Sequence, residues 1–423
     1  MSLAIVNGHV INPADNVSEP CDVLIEDGCI RKMGRKLKGD TTIDASGCVV
    51  CPGFVDIHCH FREPGYESKE TIASGSRAAA RGGFTTVVTM ANTNPPIDNA
   101  GLVELVIRRA REEAAIRVLP AACATKGLKS EEITDMADLK AAGAVAVTDD
   151  GRDIALSAVM RHALEYANMV GMPFLSHCED ETLSAGGVMN EGYTATLMGV
   201  PGIPKTAEEV RIDRNIRLAE LAGAHIHIQH VSTAVGVEIV RQAKRRGARV
   251  TAESAPHYFS LTDAAANGFN TNAKMNPPLR EQEDIEAVVE GFKDGTLDCI
   301  ATDHAPHTPT EKRVEFALAP FGIIGLETAL ALTITHLVRP GHIAIEQAVA
   351  LLSQGGARVC RLDAGVLQTG GRADLTVFDP EAIWAVEARD FLSRSRNSPF
   401  VGCELYGKVR HTICRGVPVY QDA

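Results

Sequence analysis

Aromatic side chains and long apolar runs are scarce in this chain of 423 residues. Aromatic residues make up 4% of it, with one tryptophan, which argues against stacking platforms for nucleic-acid bases. No apolar run reaches the length of a membrane span, and the first residues, Met-Ser-Leu-Ala-Ile-Val-Asn-Gly, lack the apolar core and cleavage site of a signal peptide. We therefore expect a cytoplasmic protein.

Basic residues are also outnumbered, and they are dispersed. The chain has 42 Lys and Arg against 54 Asp and Glu, a net charge of −12, which argues against a nucleic-acid partner or an anionic membrane surface. Its 11 cysteines, an odd number, are scattered, which indicates reduced thiols rather than a disulfide framework. Cys48-Val-Val-Cys51 has no second pair, so we interpret it as two strand cysteines, because a structural zinc site needs four ligands.

What the chain has in abundance is alternation of short apolar runs with Ala-, Glu-, Arg- and Leu-rich stretches. Helical periodicity is clear over residues 206–222 and 234–246. Eight such strand–helix units predict an α/β fold, a parallel (β/α)8 barrel of the TIM type. The predicted strands span residues 53–60, 85–92, 116–125, 144–150, 172–178, 225–231, 249–257 and 299–304.

The two ends of the chain have a different pattern, with short apolar pairs separated by turns such as Asn7-Gly8 and Asp27-Gly28. These dipeptides are strong hairpin signals. Neither end is large enough for a core of its own. We predict that residues 1–52 and 363–423 form one small β domain together, and that residues 53–362 form the barrel.

Residue types that bind metals follow five of the predicted strands. The first strand ends in His58-Cys59-His60, whose two imidazoles point the same way because strand side chains alternate faces. Each candidate alone has a common structural explanation, but together they predict a metal site at one end of the barrel. Histidine and carboxylate suit Zn²⁺, and also Mn²⁺, Co²⁺ or Fe²⁺. The other candidates are Asp149 or Asp150, His177, His230 and Asp303.

Two choices within this set rest on strand parity. Asp150 is favoured over Asp149 because it shares a face with Thr148, although a strand end can twist, so both stay open. His225 and His227 share parity with each other but not with His230, and we interpret them as structural histidines.

A metal held at this end predicts hydrolytic chemistry. The ion lowers the pKa of bound water towards 7 and polarises the carbonyl under attack. A neighbouring carboxylate can take the water's proton and deliver it to a leaving nitrogen. Asp303 fits this catalytic role, because it can touch both metal and water. The expected reaction is hydrolysis of an amide-like bond, or its reversal.

Two segments resemble the signatures of the dihydroorotases. Asp56-Ile-His-Cys-His-Phe-Arg-Glu-Pro64 resembles the first, and Ala301-Thr-Asp-His-Ala-Pro-His307, with Lys312 five residues on, resembles the second. The chain is similar to the long bacterial (class I) form within the amidohydrolase superfamily, which implies a (β/α)8 barrel with a small β-sandwich from both termini. Further matches extend the resemblance over essentially the whole chain, at residues 85–92, 192–196, 229–233 and 276–278.

The resemblance implies a ligand set for zinc. Many relatives bridge two metals with a carbamylated lysine on strand four, where this chain has Asp150, as in the long bacterial subgroup. One or two Zn²⁺ ions per subunit are therefore expected. Asp303 matches the ligand that doubles as proton shuttle. The full set of implied ligands is His58, His60, Asp150, His177, His230 and Asp303.

Substrate contacts are implied in the same way. Dihydroorotate carries a carboxylate beside its ring, and Arg62 is expected to clamp that carboxylate with charge-assisted hydrogen bonds. The plain alternatives are a surface salt bridge for Arg62 and turn roles for Asn92 and Asn276. The implied contact residues are His60, Phe61, Arg62, Asn92, Asn276, His307, Phe321 and Gly322.

The activity implied is the reversible, zinc-dependent cyclisation of N-carbamoyl-L-aspartate to L-dihydroorotate, the third step of de novo pyrimidine (UMP) biosynthesis. The enzymatic alternatives are hydantoinase, dihydropyrimidinase and allantoinase, which usually have a strand-four lysine and lack an arginine at the position of Arg62. An inactive scaffold subunit is a third possibility, although such relatives lose their histidines. A homodimer and docking on aspartate transcarbamoylase are the partner expectations.

Overall fold

The computed structural model describes residues 2–422, and within them eight parallel strands form one sheet in strict chain order. The sheet closes where His304 pairs with Cys59, and the His60 N–H donates to the His304 carbonyl over 2.9 Å. The predicted (β/α)8 barrel is confirmed, and each observed strand overlaps its predicted interval. The strands are Phe54–Cys59, Phe84–Thr89, Arg117–Cys123, Ala146–Thr148, Phe174–Ser176, Ile226–Ile228, Val250–Ser254 and Cys299–Ile300.

Helices alternate with these strands and pack around them. Side chains such as Thr71, Asn99 and Thr233 accept hydrogen bonds from first-turn N–H groups, which fixes where three of the helices begin. Gly143 and Gly223 end two others in the left-handed conformation. The outer helices are Ile72–Arg81, Ala100–Glu113, Met136–Ala142, Ser157–Val170, Thr206–Ala222, Ala234–Arg245, Gln282–Lys293 and Ala329–Thr333, the last continued by a π-helical turn at Ile334–Val338.

Shorter elements complete the chain between and after these units. Residues 179–205 and 258–282 follow the fifth and seventh strands, and they carry short helices and turns in place of a single long element. A two-stranded ladder joins Met189–Asn190 to Gly202–Ile203. The short helices are Glu181–Ser184, Tyr193–Met198, Pro309–Lys312, Ile345–Ala350 and Gly356–Val359, with a π-helical turn at Leu351–Gly355 between the last two. The 3₁₀ turns are Lys126–Leu128, Pro256–Tyr258, Asp263–Ala266, Thr271–Ala273 and Ala388–Asp390.

Alternating side chains of the barrel strands build two apolar layers. Phe54 and Phe84 point outward into the cluster shared with the helices. Val55 and Ile57 point inward, where they join a second cluster with Ala357 from the helix Gly356–Val359. Because all eight strands are parallel, the polar residues that follow them meet at the carboxyl end of the barrel.

Both termini build two further sheets, which confirms the predicted β-sandwich. One sheet contains Cys29–Gly34, Asp22–Glu26, Ser2–Val6 and Thr41–Asp44, in that order. The other contains Val417–Gln421, Glu404–Cys414, Leu375–Ala385, Val49–Pro52, His9–Asn12 and Val17–Pro20. Their facing side chains share one core, with residues such as Ile5, Val50 and Leu375.

The bounds of the two domains, 1–52 with 363–423 and 53–362, stay a prediction. Within residues 2–422, no helix has both the length and the apolar character needed to cross a membrane.

Candidate active site

The carboxyl ends of the barrel strands open into a cleft of about 360 Å³. His58 lies beneath its floor and is fully buried. The loops after the seventh and eighth strands form one wall of the cleft, where Met275 and Pro320 join the predicted site residues. The predicted residues that line the cleft are His60, Arg62, Asn92, Asp150, His177, His230, Asn276, Asp303, His307, Phe321 and Gly322.

The Asp150 carboxylate lies among four imidazoles. Its Oδ1 is 3.2 Å from His58 Nε2, 3.7 Å from His230 Nε2 and 3.9 Å from His177 Nδ1. Its Oδ2 is 3.5 Å from His60 Nε2. Burial alone would raise the pKa of Asp150, but the surrounding imidazoles hold that pKa well below its usual range. The group is therefore an anion at neutral pH.

Asp303 approaches the same cluster from the eighth strand. Its Oδ1 is 3.1 Å from His60 Nε2 and 3.4 Å from His58 Nε2. Burial opposes ionisation of this carboxyl too, yet the nearby His58 and His60 lower its pKa. Two carboxylates thus converge on the imidazoles from opposite sides of the barrel mouth.

The donor set fits a divalent metal ion. His58, His60 and Asp303 offer ligand atoms within 4.8 Å of one another, and so do His58, Asp150 and His230. His58 Nε2 is buried and, among the described residues, has no hydrogen-bond partner, although oxygens of two carboxylates lie within 3.4 Å. A buried nitrogen facing carboxylates without a hydrogen bond is the arrangement expected of a metal ligand.

Three of the site residues have a left-handed backbone. Arg62, His230 and Asp303 have φ values of 61°, 36° and 45°. Non-glycine residues seldom adopt this region, and such conformations are concentrated at functional sites, where the surrounding structure enforces them. Each of these residues lies just past the end of its strand, so the turn sends its side chain inward over the barrel mouth.

Asp149 and Asp150, left open by the sequence, have different surroundings. Asp149 Oδ1 accepts hydrogen bonds from the N–H groups of Ala124 and Thr125 at 2.8 and 2.9 Å, and its other oxygen accepts from the Thr125 hydroxyl. Burial raises the pKa of Asp149 to about 6, even though those donors lower it. Asp149 therefore secures the neighbouring loop, and Asp150 faces the cleft.

Glu253 is a buried carboxylate that the sequence analysis missed. Its Oε1 lies 2.7 Å from His58 Nδ1, and its Oε2 lies 3.0 Å from His227 Nε2. Burial opposes its ionisation, but the His58 and His227 rings lower its pKa to about 2. Glu253 thus accepts a hydrogen bond from the Nδ1–H group of His58, which leaves Nε2 free to face the cluster. The available signal was a carboxylate within the buried end of a barrel strand.

Glu179 is the second missed carboxylate. Its Oε2 lies 3.0 Å from His177 Nε2 and accepts a hydrogen bond of 2.9 Å from the side-chain amide of Asn276. His177 therefore turns Nδ1 into the cluster, 2.8 Å from His230 Nε2 and 3.9 Å from Asp150 Oδ1. Asn276 is fixed at the cleft wall. The spacing of two residues between His177 and Glu179 was the signal in the sequence.

The Arg62 guanidinium faces the cleft without a carboxylate partner. Its Nε donates to the Pro306 carbonyl over 3.3 Å, and one terminal nitrogen lies 3.4 Å from His307 Nε2. Among the described residues, no Asp or Glu oxygen lies within 4.0 Å of it, so it is not part of a surface salt bridge. Burial and the charges of Arg62 and Lys69 lower the pKa of His307, which is therefore neutral. This end of the cleft therefore presents a positive charge that no carboxylate contacts directly.

Asn92 contacts cluster residues as well as the cleft, and Phe61 lies away from the cleft surface. Asn92 Oδ1 is 2.9 Å from His60 Nδ1, and its amide donates to Asp150 at 3.3 Å, so it orients two cluster residues as well as lining the cleft. The Phe61 ring is buried against Gly75, where a Cβ would lie 2.5 Å from the ring. Phe61 therefore supports the first strand rather than the cleft surface.

Comparison with known proteins places this cleft in a family context. A family model described as Dihydro-orotase-like matches residues 47–235, and one described as Amidohydrolase family matches residues 280–420. The chain is 49% identical over 421 residues to a protein named Dihydroorotase from Ruminiclostridium cellulolyticum, covering 99% of this chain and 98% of the relative. It is also 49% identical to a protein of that name from Citrifermentans bemidjiense, with both chains covered completely.

Solved structures of hydantoinases share this architecture. The chain superposes on the L-hydantoinase (dihydropyrimidinase) of Arthrobacter aurescens with a TM-score of 0.89 at 26% identity, covering 99% of this chain and 96% of the other. A D-hydantoinase structure gives a TM-score of 0.87 at 25% identity, covering 100% and 96%. The barrel and the β-sandwich are thus shared with hydantoinases that are only 25–26% identical to this chain.

Proposed function

The chain belongs to the dihydroorotase family of amidohydrolases, and from this premise we propose that its cleft interconverts N-carbamoyl-L-aspartate and L-dihydroorotate. The observation that carries the proposal is the Arg62 guanidinium, free of any carboxylate partner among the described residues, beside the imidazole–carboxylate cluster. A ring substrate with its own carboxylate supplies the missing anion. The reaction is the third step of pyrimidine synthesis in this family.

The family uses a divalent metal, and we propose Zn²⁺, one or two ions per subunit. When bound, the metal activates water and polarises the ring carbonyl under attack. The orphaned His58 Nε2 and the two carboxylates within 3.4 Å of it support this assignment. The proposed ligands are His58, His60, Asp150, His177, His230 and Asp303.

The chain's own residues then divide the remaining work. Arg62 orients the ring through the substrate carboxylate, and neutral His307 stands beside it as a second contact. Asp303 takes a proton from the attacking water and delivers it to the ring nitrogen as the carbon–nitrogen bond breaks. Ring closure uses the same carboxyl in reverse. Asn276 and the Phe321-Gly322 backbone form the wall against which the ring lies.

Hydantoinase-type activity is the second candidate, because the hydantoinase structures share the whole architecture. Their substrates are neutral rings. Two features here favour the anionic substrate. Asp150 stands where the cyclic amidases usually have a lysine, and Arg62 places in the cleft a cation that no carboxylate contacts directly. An inactive scaffold subunit is disfavoured, because every proposed ligand position is occupied by a donor residue.

A substrate panel is expected to give turnover of L-dihydroorotate and little or none of hydantoin, dihydrouracil or allantoin. The measurement is hydrolysis by zinc-loaded protein, with chelator-treated protein as the control. Turnover of a neutral ring in preference would move the protein to the cyclic-amidase branch. No turnover of any ring by protein with bound metal would support the scaffold alternative.

Glu253→Gln is expected to weaken zinc binding by about 10–100-fold, the usual cost of losing a carboxylate that orients a metal-binding histidine. Glutamine keeps the size of the side chain. It presents an N–H group, in place of a carboxylate oxygen, to either His58 or His227, the two rings that Glu253 contacts. The measurement is the zinc Kd from competition with a chromophoric chelator. The matched control is the exposed Glu238→Gln, and an unchanged Kd in Glu253→Gln would refute the orienting role.

Assembly and location remain predictions of the family assignment. We propose a homodimer in the cytoplasm, with docking on aspartate transcarbamoylase as a further partner interaction. Size-exclusion chromatography with light scattering tests the first, and a mixture with aspartate transcarbamoylase tests the second.

A further inference from the structure

Lys312 places a buried amino group between two loops of the cleft wall. The side chain is 5% exposed, at the end of the short helix Pro309–Lys312. Its Nζ donates to the carbonyl of Pro320 over 2.7 Å, to that of Thr271 over 2.9 Å and to that of Lys274 over 3.4 Å. Burial and the nearby charges of Lys274 and Arg62 lower the pKa of Lys312 to about 7. The three carbonyls match the three N–H donors of its protonated form.

Lys274 reinforces the same junction. Its Nζ donates to the carbonyls of Phe316 and Ala317 over 2.7 and 3.0 Å, and it lies 4.7 Å from the centre of the Phe321 ring. Its own carbonyl accepts the Gly322 N–H over 2.8 Å. Backbone and side chain of Lys274 thus both hold the segment that begins at Pro320.

The segments joined in this way are parts of the cleft. Asn276 lies two residues beyond Lys274, and Phe321 and Gly322 follow Pro320 directly. Gly322 has φ 147°, and a Cβ there would lie 2.5 Å from the Ala305 carbonyl oxygen, so the segment is seated tightly on the loop after the eighth strand. A buried ammonium is costly unless its donors are satisfied, so its three hydrogen bonds constrain both loops strongly.

We propose that Lys312 is a positioning residue for substrate binding: its ammonium fastens the 271–274 segment to Pro320 and thereby holds Asn276 and Phe321-Gly322 against the ring. The proposal rests on the proposed function, since it assigns these loops to ring binding. The chemistry of the reaction lies elsewhere in the cleft, at Asp303 and the imidazoles. Lys312 therefore acts on how the substrate is held, not on proton transfer.

A purely structural role predicts a different result from a positioning role. If Lys312 only stabilises the fold, its loss lowers the Tm, and the molecules that remain folded keep the wild-type KM. If it positions the wall, its loss raises KM and loosens residues 271–276 and 318–324, while the barrel strands and the metal content stay as they were.

The test compares Lys312→Met with the exposed Lys293→Met as its matched control. For Lys312→Met we expect the KM for L-dihydroorotate to rise about tenfold or more, as when charge-assisted hydrogen bonds are lost, with kcat changed much less. Hydrogen–deuterium exchange is expected to accelerate in peptides covering 271–276 and 318–324. Zinc content and exchange in the barrel strands should equal those of the control.

Unchanged KM and unchanged exchange in folded Lys312→Met would overturn the proposal, and so would a loss of kcat with KM unaltered. Lys312→Arg retains the charge and is expected to restore part of the KM. If Lys312→Met does not fold, Lys274→Met is judged by the same two readouts. If the wild-type protein hydrolyses no dihydroorotate, the proposed function fails, and the exchange of the two segments still decides whether Lys312 holds them.

Discussion

Replacement of Asp303 by alanine is expected to lower kcat for dihydroorotate hydrolysis by about 10²–10⁴-fold, the contribution typical of a positioned general acid–base group. Asp303 is the carboxylate that lies 3.1 Å from His60 Nε2 and 3.4 Å from His58 Nε2 at the open face of the cluster. Without it, no group in that position takes the proton from water and returns it to the leaving nitrogen. Steady-state hydrolysis at saturating substrate measures the loss.

Metal content must be measured beside the rate, because Asp303 is also a proposed ligand. Asp303→Asn keeps an oxygen ligand and is the informative companion: it should retain more zinc than the alanine variant and still lack the proton shuttle. Asp213→Asn, an exposed carboxylate paired with Arg217 on an outer helix, is the surface control. Near-normal kcat in a zinc-loaded Asp303 variant would remove the residue from the mechanism.

Arg62→Ala is expected to reduce kcat/KM for dihydroorotate by about 10²–10⁴-fold. Two charge-assisted hydrogen bonds to a carboxylate contribute about 1.5–3 kcal/mol each, and their sum corresponds to that range of rates. The guanidinium is held for this purpose by the Pro306 carbonyl, and it lies beside neutral His307. The loss should fall on anionic substrates alone.

The measurement therefore compares dihydroorotate with dihydrouracil, which lacks the carboxylate. Residual activity on the neutral ring, however small in the wild type, should not fall in Arg62→Ala. Arg161→Ala, which breaks an exposed ion pair with Glu165 on an outer helix, provides the control. An equal loss on both rings would mean that Arg62 supports the loop rather than recognising the carboxylate.

Strand order and the convergence of the imidazoles and carboxylates could be predicted because both rest on local periodicity. Apolar runs followed by histidine or aspartate mark strand ends, and in a parallel barrel all such ends meet at one face. The predicted strands were longer than the observed ones, as at 144–150 against Ala146–Thr148, since the polar residues after a strand are still part of the same pattern. The observed strand ends at Thr148, so the alternation of side chains no longer holds at residues 149 and 150. Strand parity could therefore favour Asp150 over Asp149 but could not decide between them.

Partners at long range in the chain could not be predicted. Glu253 and His58 are 195 residues apart in the chain, and Lys312 and Thr271 are 41 apart. Neither contact is indicated by the periodicity of the sequence. Phe61 was predicted to contact the substrate because it lies within the first signature motif, residues 56–64, and that motif does not specify where each side chain points. The orientation of the Phe61 ring depends on Gly75 in the following helix, which the motif does not include.

The sheet that joins the two termini has a consequence for biosynthesis. Val49–Pro52 pairs on one side with His9–Asn12, which is made early, and on the other with Leu375–Ala385. Cys51 and its neighbour Thr376 are 325 residues apart, so translation at about 5–20 residues per second separates their emergence by about 15–65 s. Throughout that interval the nascent chain presents an unpaired, apolar strand edge, the feature that recruits foreign strands. A ribosome-associated chaperone would have its greatest effect on yield here, before the last strands arrive.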